Sequence, residues 1–105
     1  MLESKFQSKL IKRLKDEFPG CIVLKNDPNY IQGIPDLLVL YEDKWAALEG
    51  KKNEHASHQP NQDHYVSVMD EMSYATFIYP ENIEEVFDGL QSTLRPRRKA
   101  RVSKR

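Results

Sequence analysis

Residues 34–52 read Ile34-Pro35-Asp36-Leu37-Leu38-Val39-Leu40-Tyr41, then Glu42-Asp43, then Lys44-Trp45-Ala46-Ala47-Leu48-Glu49-Gly50-Lys51-Lys52. Two apolar runs separated by two turn-compatible polar residues predict a hairpin of strands 34–41 and 44–52. Glu42-Asp43 lacks the glycine preferred in two-residue loops, so the turn type is open. The first run is apolar on both faces apart from Asp36, which predicts a strand covered on both sides. Alternate residues of a strand share a face, so Glu49 and Lys51 project to one side. With a turn at 42–43, position 41 faces 44 and position 36 faces 49. Asp36 and Glu49 would then be cross-strand neighbours, with Cβ atoms about 5 Å apart. Their face also carries Leu38, Leu40, Trp45 and Ala47. Two carboxylates at the end of an apolar sheet repel each other and are costly to desolvate. A divalent cation relieves both costs, and oxygen ligands suit Mg²⁺ or Mn²⁺. The plainer alternative is a solvated Asp and Glu with Lys51 as a surface partner.

Outward from the hairpin, Leu2, Phe6, Leu10, Leu14 and Phe18 recur at helical spacing, predicting an amphipathic helix over 2–18 that Pro19-Gly20 ends. Glu3 falls amid its apolar arc. Residues 21–25 form a short strand candidate, and 26–33 a loop by their turn residues. Residues 53–58 are a polar loop. A second helix is predicted over 59–72, with Pro60 in its first turn. Its stripe is Tyr65, Val66, Met69 and Met72, and Gln62 falls within it. Residues 74–79 form a further strand. Asn82 and Glu85 resemble a capping pair opening a short helix over 83–88, which Gly89 would stop. Residues 81–88 are acidic and are expected to face solvent. The order α-β-β-β-α-β-α predicts an α/β fold, a mixed sheet flanked by helices.

The chain of 105 residues suits one domain, and its high charge suits a soluble globular protein. No run is long and apolar enough to span a membrane, and the N-terminus has no secretory h-region. The single cysteine, Cys21, forms no internal disulfide and fits a reducing, intracellular setting. The net charge of zero hides an asymmetry. Residues 95–105 hold seven bases (Arg95, Arg97, Arg98, Lys99, Arg101, Lys104, Arg105) and no acid, while residues 1–94 carry a net charge of −7. The expected organisation is a folded domain over 1–94 and a basic arm over 95–105. An acidic body with a basic arm points to a polyanionic partner, against the plainer reading of a solvated tail. His55, His58 and His64 with Cys21 fit no common zinc spacing.

Gly33-Ile34-Pro35-Asp36-Leu37-Leu38-Val39-Leu40, followed by Glu49-Gly50-Lys51 and then Gln62, resembles the VRR-NUC branch of the PD-(D/E)XK nucleases. That branch is similar in its core to the archaeal and phage Holliday-junction resolvases. The resemblance covers roughly residues 3–79. Gly50 departs from the aliphatic residue common between the Glu and Lys. The resemblance implies a restriction-endonuclease-like core and metal-dependent hydrolysis of DNA phosphodiesters, most directly in branched DNA. The alternatives are a nuclease for flaps, nicks or linear duplex, and a non-catalytic DNA-binding module. It implies that Asp36 and Glu49 hold Mg²⁺ or Mn²⁺ with the Gly50 carbonyl. Lys51 would serve the attacking water and the phosphate. Gln62 would position water, metal or phosphate, and Glu3 would support a metal or its water shell. It further implies a homodimer, since two symmetric cuts need two sites, and no small-molecule cofactor. Lys25, Tyr30, Lys52 and the basic residues from Arg95 to Arg105 are the expected nucleic-acid contacts.

Overall fold

A computed structural model of the chain describes residues 4–95. Its elements follow in the order α1 (Ser4–Glu17), β1 (Ile22–Lys25), β2 (Leu37–Tyr41), β3 (Lys44–Gly50), α2 (Pro60–Met72), β4 (Tyr74–Ile78), a 3-10 turn (Pro80–Asn82) and α3 (Ile83–Leu94). The four strands form one mixed sheet in the order β1-β2-β3-β4. β1, β2 and β3 pair antiparallel, and β3 and β4 pair parallel. A parallel pair needs a crossover, and α2 supplies it. The fold is thus mixed α/β, with helices on both faces.

The hairpin has the register that the turn at 42–43 dictates: Tyr41 faces Lys44, Leu38 faces Ala47 and Leu37 faces Leu48. Glu42 enters the turn at φ 57°, in the left-handed region, standing where glycine or asparagine is preferred. One face of the sheet carries Leu37, Val39, Ala46, Leu48 and Ile78. It packs against Leu10, Leu14 and Phe18 around α1 and Val86, Phe87, Leu90 and Leu94 of α3. Burying each large aliphatic side chain of this layer is worth about 1.5–3 kcal/mol. The other face packs Ala47, Ala75, Trp45, Leu38 and Phe77 against Val66 and Met69 of α2. The β2 segment is therefore covered more fully on one side than the other.

Several expectations are corrected. Residues 81–88 do not all face solvent, because Val86 and Phe87 are buried in the core. The last helix does not stop at Gly89 but runs to Leu94. A Cβ at position 89 would collide with the phenol of Tyr74, so this glycine serves a close helix–strand approach rather than a helix end. Asn82 does not cap that helix through its side chain. Its Oδ1 accepts from the Tyr79 amide at 2.9 Å and its Nδ2 donates to the Phe77 carbonyl at 3.0 Å, so it fastens the turn to β4. Met72, counted in the buried stripe of α2, is 69% exposed. The helix leaves the sheet there as Ser73 turns the chain into β4.

Candidate active site

Asp36 stands one residue before β2, immediately beyond the last cross-strand pair of the hairpin. Two hydrogen bonds hold its backbone: its carbonyl accepts from the Asn26 amide, and the Pro35 carbonyl accepts from Asn26 Nδ2, both at 2.8 Å. Its Oδ2 accepts from the Gly50 amide at 3.0 Å, which ties the carboxylate to the end of β3. Glu49 is 3% exposed and Lys51 is 7% exposed, and these two are the buried charged residues among those described. Gln62, in the first turn of α2, joins them. Its Nε2 donates to Glu49 Oε2 at 3.0 Å, and its Oε1 accepts from Lys51 Nζ at 2.7 Å. The same Oε1 accepts from the Gln59 amide at 3.0 Å, so the start of the helix fixes the amide's orientation. The Ser57 carbonyl accepts from Lys51 Nζ at 3.1 Å.

Four of the five expected catalytic positions, Asp36, Glu49, Lys51 and Gln62, are thus brought to one end of the sheet; Glu3 lies outside the described residues. Burial, and then the charge of Asp36, pushes the Glu49 carboxyl up to about 7, with Lys51 pulling the other way. Burial also raises the Asp36 carboxyl, against the Gly50 hydrogen bond and Lys51. Among the described residues no basic side chain forms an ion pair with either carboxylate. The Gly50 amide thus holds Asp36, and the Gln62 side chain and the Asp36 backbone amide hold Glu49, with no counter-ion in contact among the described residues.

No cluster of three or more histidine, cysteine or acidic side chains suited to a metal occurs among the described residues. A cation here would rest on two carboxylates and the backbone carbonyl of Gly50. That donor set consists of oxygens alone, and it matches Mg²⁺, which usually takes one or two protein carboxylates and keeps its waters. The raised carboxyls mark the charge that such an ion would neutralise. The residues present fit the ion.

The other expected contacts are distributed unevenly. Lys25 ends β1 opposite Leu37, near Asp36, and is exposed. Lys51, Lys52, Ala56 and Ser57 line a concavity of about 260 Å³. Tyr30 is 84% exposed on the loop before Asp36. Arg95 is not brought to the site. Its guanidinium donates to Gln91 and, at 3.2 Å, to the Glu17 carbonyl, and it lies over the Phe18 ring. Phe18 in turn meets Tyr41, at the hairpin end of the sheet. Arg97, Arg98, Lys99, Arg101, Lys104 and Arg105 lie outside the described residues. No family model, no curated protein and no solved structure matches this chain.

Sequence reasoning read His58 only as a loop residue or phosphate contact and did not foresee its neighbours. Its Nδ1 is 2.9 Å from Asp63 Oδ1, and its ring stacks on Phe77 at 3.9 Å between centroids. Phe77 is the parallel neighbour of Glu49. This parallel register depends on tertiary pairing, and no local pattern announces it. The bond that Lys51 Nζ donates to the Ser57 carbonyl has the same origin, because backbone acceptors carry no sequence signature.

Proposed function

We propose that the chain is a Mg²⁺- or Mn²⁺-dependent endodeoxyribonuclease with a restriction-endonuclease-like core, of the PD-(D/E)XK type and its VRR-NUC, Holliday-junction-resolvase-like branch. One observation carries the reading. Glu49 and Lys51 are buried side by side at the end of an apolar sheet, bridged by Gln62, with Asp36 bonded to the intervening Gly50. Buried charges are retained only where they are paired or serve a site. Asp36, Glu49 and the Gly50 carbonyl would hold the ion. When bound, it supplies Lewis acidity toward the phosphate and lowers the pKa of a water.

The chain's own groups do the rest. Gln62 is bonded at both ends, so it sets the separation of the Glu49 carboxylate from the Lys51 ammonium. Held by Gln62 and Ser57, that ammonium is oriented before substrate arrives, and a preorganised cation stabilises charge growing on phosphate more than a mobile one does. Lys52 flanks the site as a phosphate contact; Lys25 stands at the same end of the sheet on the face of Leu37, and the basic segment after Arg95 adds sequence-independent affinity.

Branched DNA is the favoured substrate within this reading, and a homodimer its assembly. An incompletely covered sheet face supports the homodimer. Ile22 and Leu24 of β1 face Leu40 and Leu38 of β2 on the α2 side of the sheet, yet they are 56% and 44% exposed. A short apolar edge strand of this kind invites a second chain.

The test is cleavage of labelled junction, flap, nicked and linear DNAs with Mg²⁺ or Mn²⁺. Glu49→Ala and Lys51→Ala should abolish cutting and keep most DNA affinity, since affinity is spread over many phosphate contacts. Full cleavage by both variants would exclude the assignment. Binding without cleavage by the wild type, with either metal, would favour the non-catalytic module.

A further inference from the structure

On the Asp36 side of the site, the loop at 26–34 and α2 enclose a pocket of about 220 Å³. Tyr30, Ile34, Leu38 and Met69 give it apolar walls, and Asn26 and Asp27 give it a polar edge. It is smaller than the ~300–1,000 Å³ of a typical whole-ligand site, and suits one flat ring system. Ile34 and Leu38 each lie two residues from Asp36. The Asn26 edge is bonded to the backbone of Pro35 and Asp36. The pocket is therefore fixed mechanically to the candidate metal-binding aspartate. Lys51 and Lys52 line a separate concavity.

We infer that this pocket receives one unpaired nucleobase of the cleaved strand, next to the scissile phosphate and stacked on Tyr30. This rests on the nuclease reading above and names its substrate feature. Tyr30 is the most exposed of the large apolar side chains among the described residues, yet its loop is ordered by turns. Its amide bonds the Asp27 carbonyl at 3.1 Å, and the Asn29 amide bonds Asp27 Oδ1 at 2.9 Å. An aromatic ring held outward at an apolar pocket, with a separate lysine-lined concavity at the carboxylates, supplies the elements of single-strand recognition: a stacking platform and cations for the backbone.

The polar edge narrows the base. Asn26 Nδ2 donates one of its two hydrogens to the Pro35 carbonyl, and Asp27 Oδ1 accepts from the Asn29 amide. The second oxygen of Asp27 and the amide oxygen of Asn26 accept no hydrogen bond among the described residues. An acceptor-rich edge fits bases carrying an exocyclic amino group, namely adenine, cytosine or guanine, better than thymine. In intact duplex these amino groups are paired and the base is stacked, so the pocket selects forks, flaps and junctions over linear DNA.

The experiment uses the full chain in Ca²⁺, where binding is read without turnover, and forked DNA with 2-aminopurine at an unpaired position beside the fork. Wild type and Tyr30→Phe should change the probe's fluorescence on binding and prefer fork over duplex. Tyr30→Ala should lose the probe response and bind the fork roughly tenfold more weakly, within the range of one base-stacking contact. Its duplex affinity should stay within twofold. Replacing the unpaired base by thymine should weaken wild-type binding by several-fold. Equal binding of fork and duplex by wild type, or an unchanged probe response in Tyr30→Ala, would overturn the pocket while leaving the nuclease reading intact. No DNA binding in any form would remove the nuclease reading itself.

Discussion

Glu49 is the residue where the site's chemistry and the fold's stability conflict. Its carboxyl is raised to about 7 by burial and by Asp36. The folded state thus holds this proton more tightly than the unfolded chain does, whose glutamate titrates near its ordinary value. Protons are released on unfolding between those two values, so stability falls as pH rises from about 4.5 to about 7. The penalty is absent below that window and complete above it, on the order of 3 kcal/mol for a shift of this size. Glu49→Gln keeps an acceptor for Gln62 and removes the charge. In chelator at pH 8 it should raise the stability measured by urea unfolding by about 1–3 kcal/mol. At pH 4 the two proteins should agree within about 0.5 kcal/mol. A destabilised Glu49→Gln at pH 8 would mean that the folded protein already compensates the charge. The same variant should not cut DNA, so a stability gain with an activity loss is the signature of a functional carboxylate.

At the scale of elements, the site depends on how the 26–34 loop meets the start of α2. Gly33 has φ +90°, and a Cβ there would run into the side chain and backbone of Asn61. Both the dihedral and the contact exclude other residues, because L side chains rarely adopt that φ. Gly33→Ala should cost about 1–3 kcal/mol in denaturant unfolding and lower DNA cleavage, since the loop and the helix position Asp36 and Gln62 respectively. Adding Asn61→Gly should recover less than half of the loss, because the dihedral strain and the backbone part of the collision remain. Full recovery would show that side-chain crowding alone sets the constraint.

At the scale of the molecule, the helices are distributed unequally. α1 and α3 cover one face together and are tied by Arg13, which bonds Glu17 at 2.7 Å and Glu84 at 2.8 Å and lies over Phe87. On the opposite face α2 packs against β3 and β4 and leaves Ile22 and Leu24 open. If a second copy covers that half, Ile22→Lys combined with Leu24→Lys should convert a dimer to a monomer in sedimentation. The fold of the single chain should be kept, because both side chains are exposed in it, while the melting temperature should fall and lose its dependence on protein concentration as the partner's contribution is removed. A wild-type protein that sediments as a monomer at micromolar concentration would remove the homodimer from the proposed function.

The hairpin was legible in the sequence because its register follows from two local facts: the period of two along a strand and the position of the Glu42-Asp43 turn. Those facts suffice to place Leu37 opposite Leu48, and so to bring Asp36 and Glu49 to the same end. Gln62 was legible as a polar residue inside an apolar helical stripe. Local patterns determine which side of an element a residue occupies. They do not determine what the opposing element offers, so the contacts made by His58, the Ser57 carbonyl and Asn26 emerged only once β4 had paired parallel to β3 and the loops had closed. The helix through Gly89 has the same cause. A glycine ends a helix or admits a neighbour with equal ease, and the presence of Tyr74 across the interface decided between them. The burial that separates Glu49 and Lys51 from ordinary surface charges is likewise a product of packing, because desolvation is a property of everything that surrounds a group.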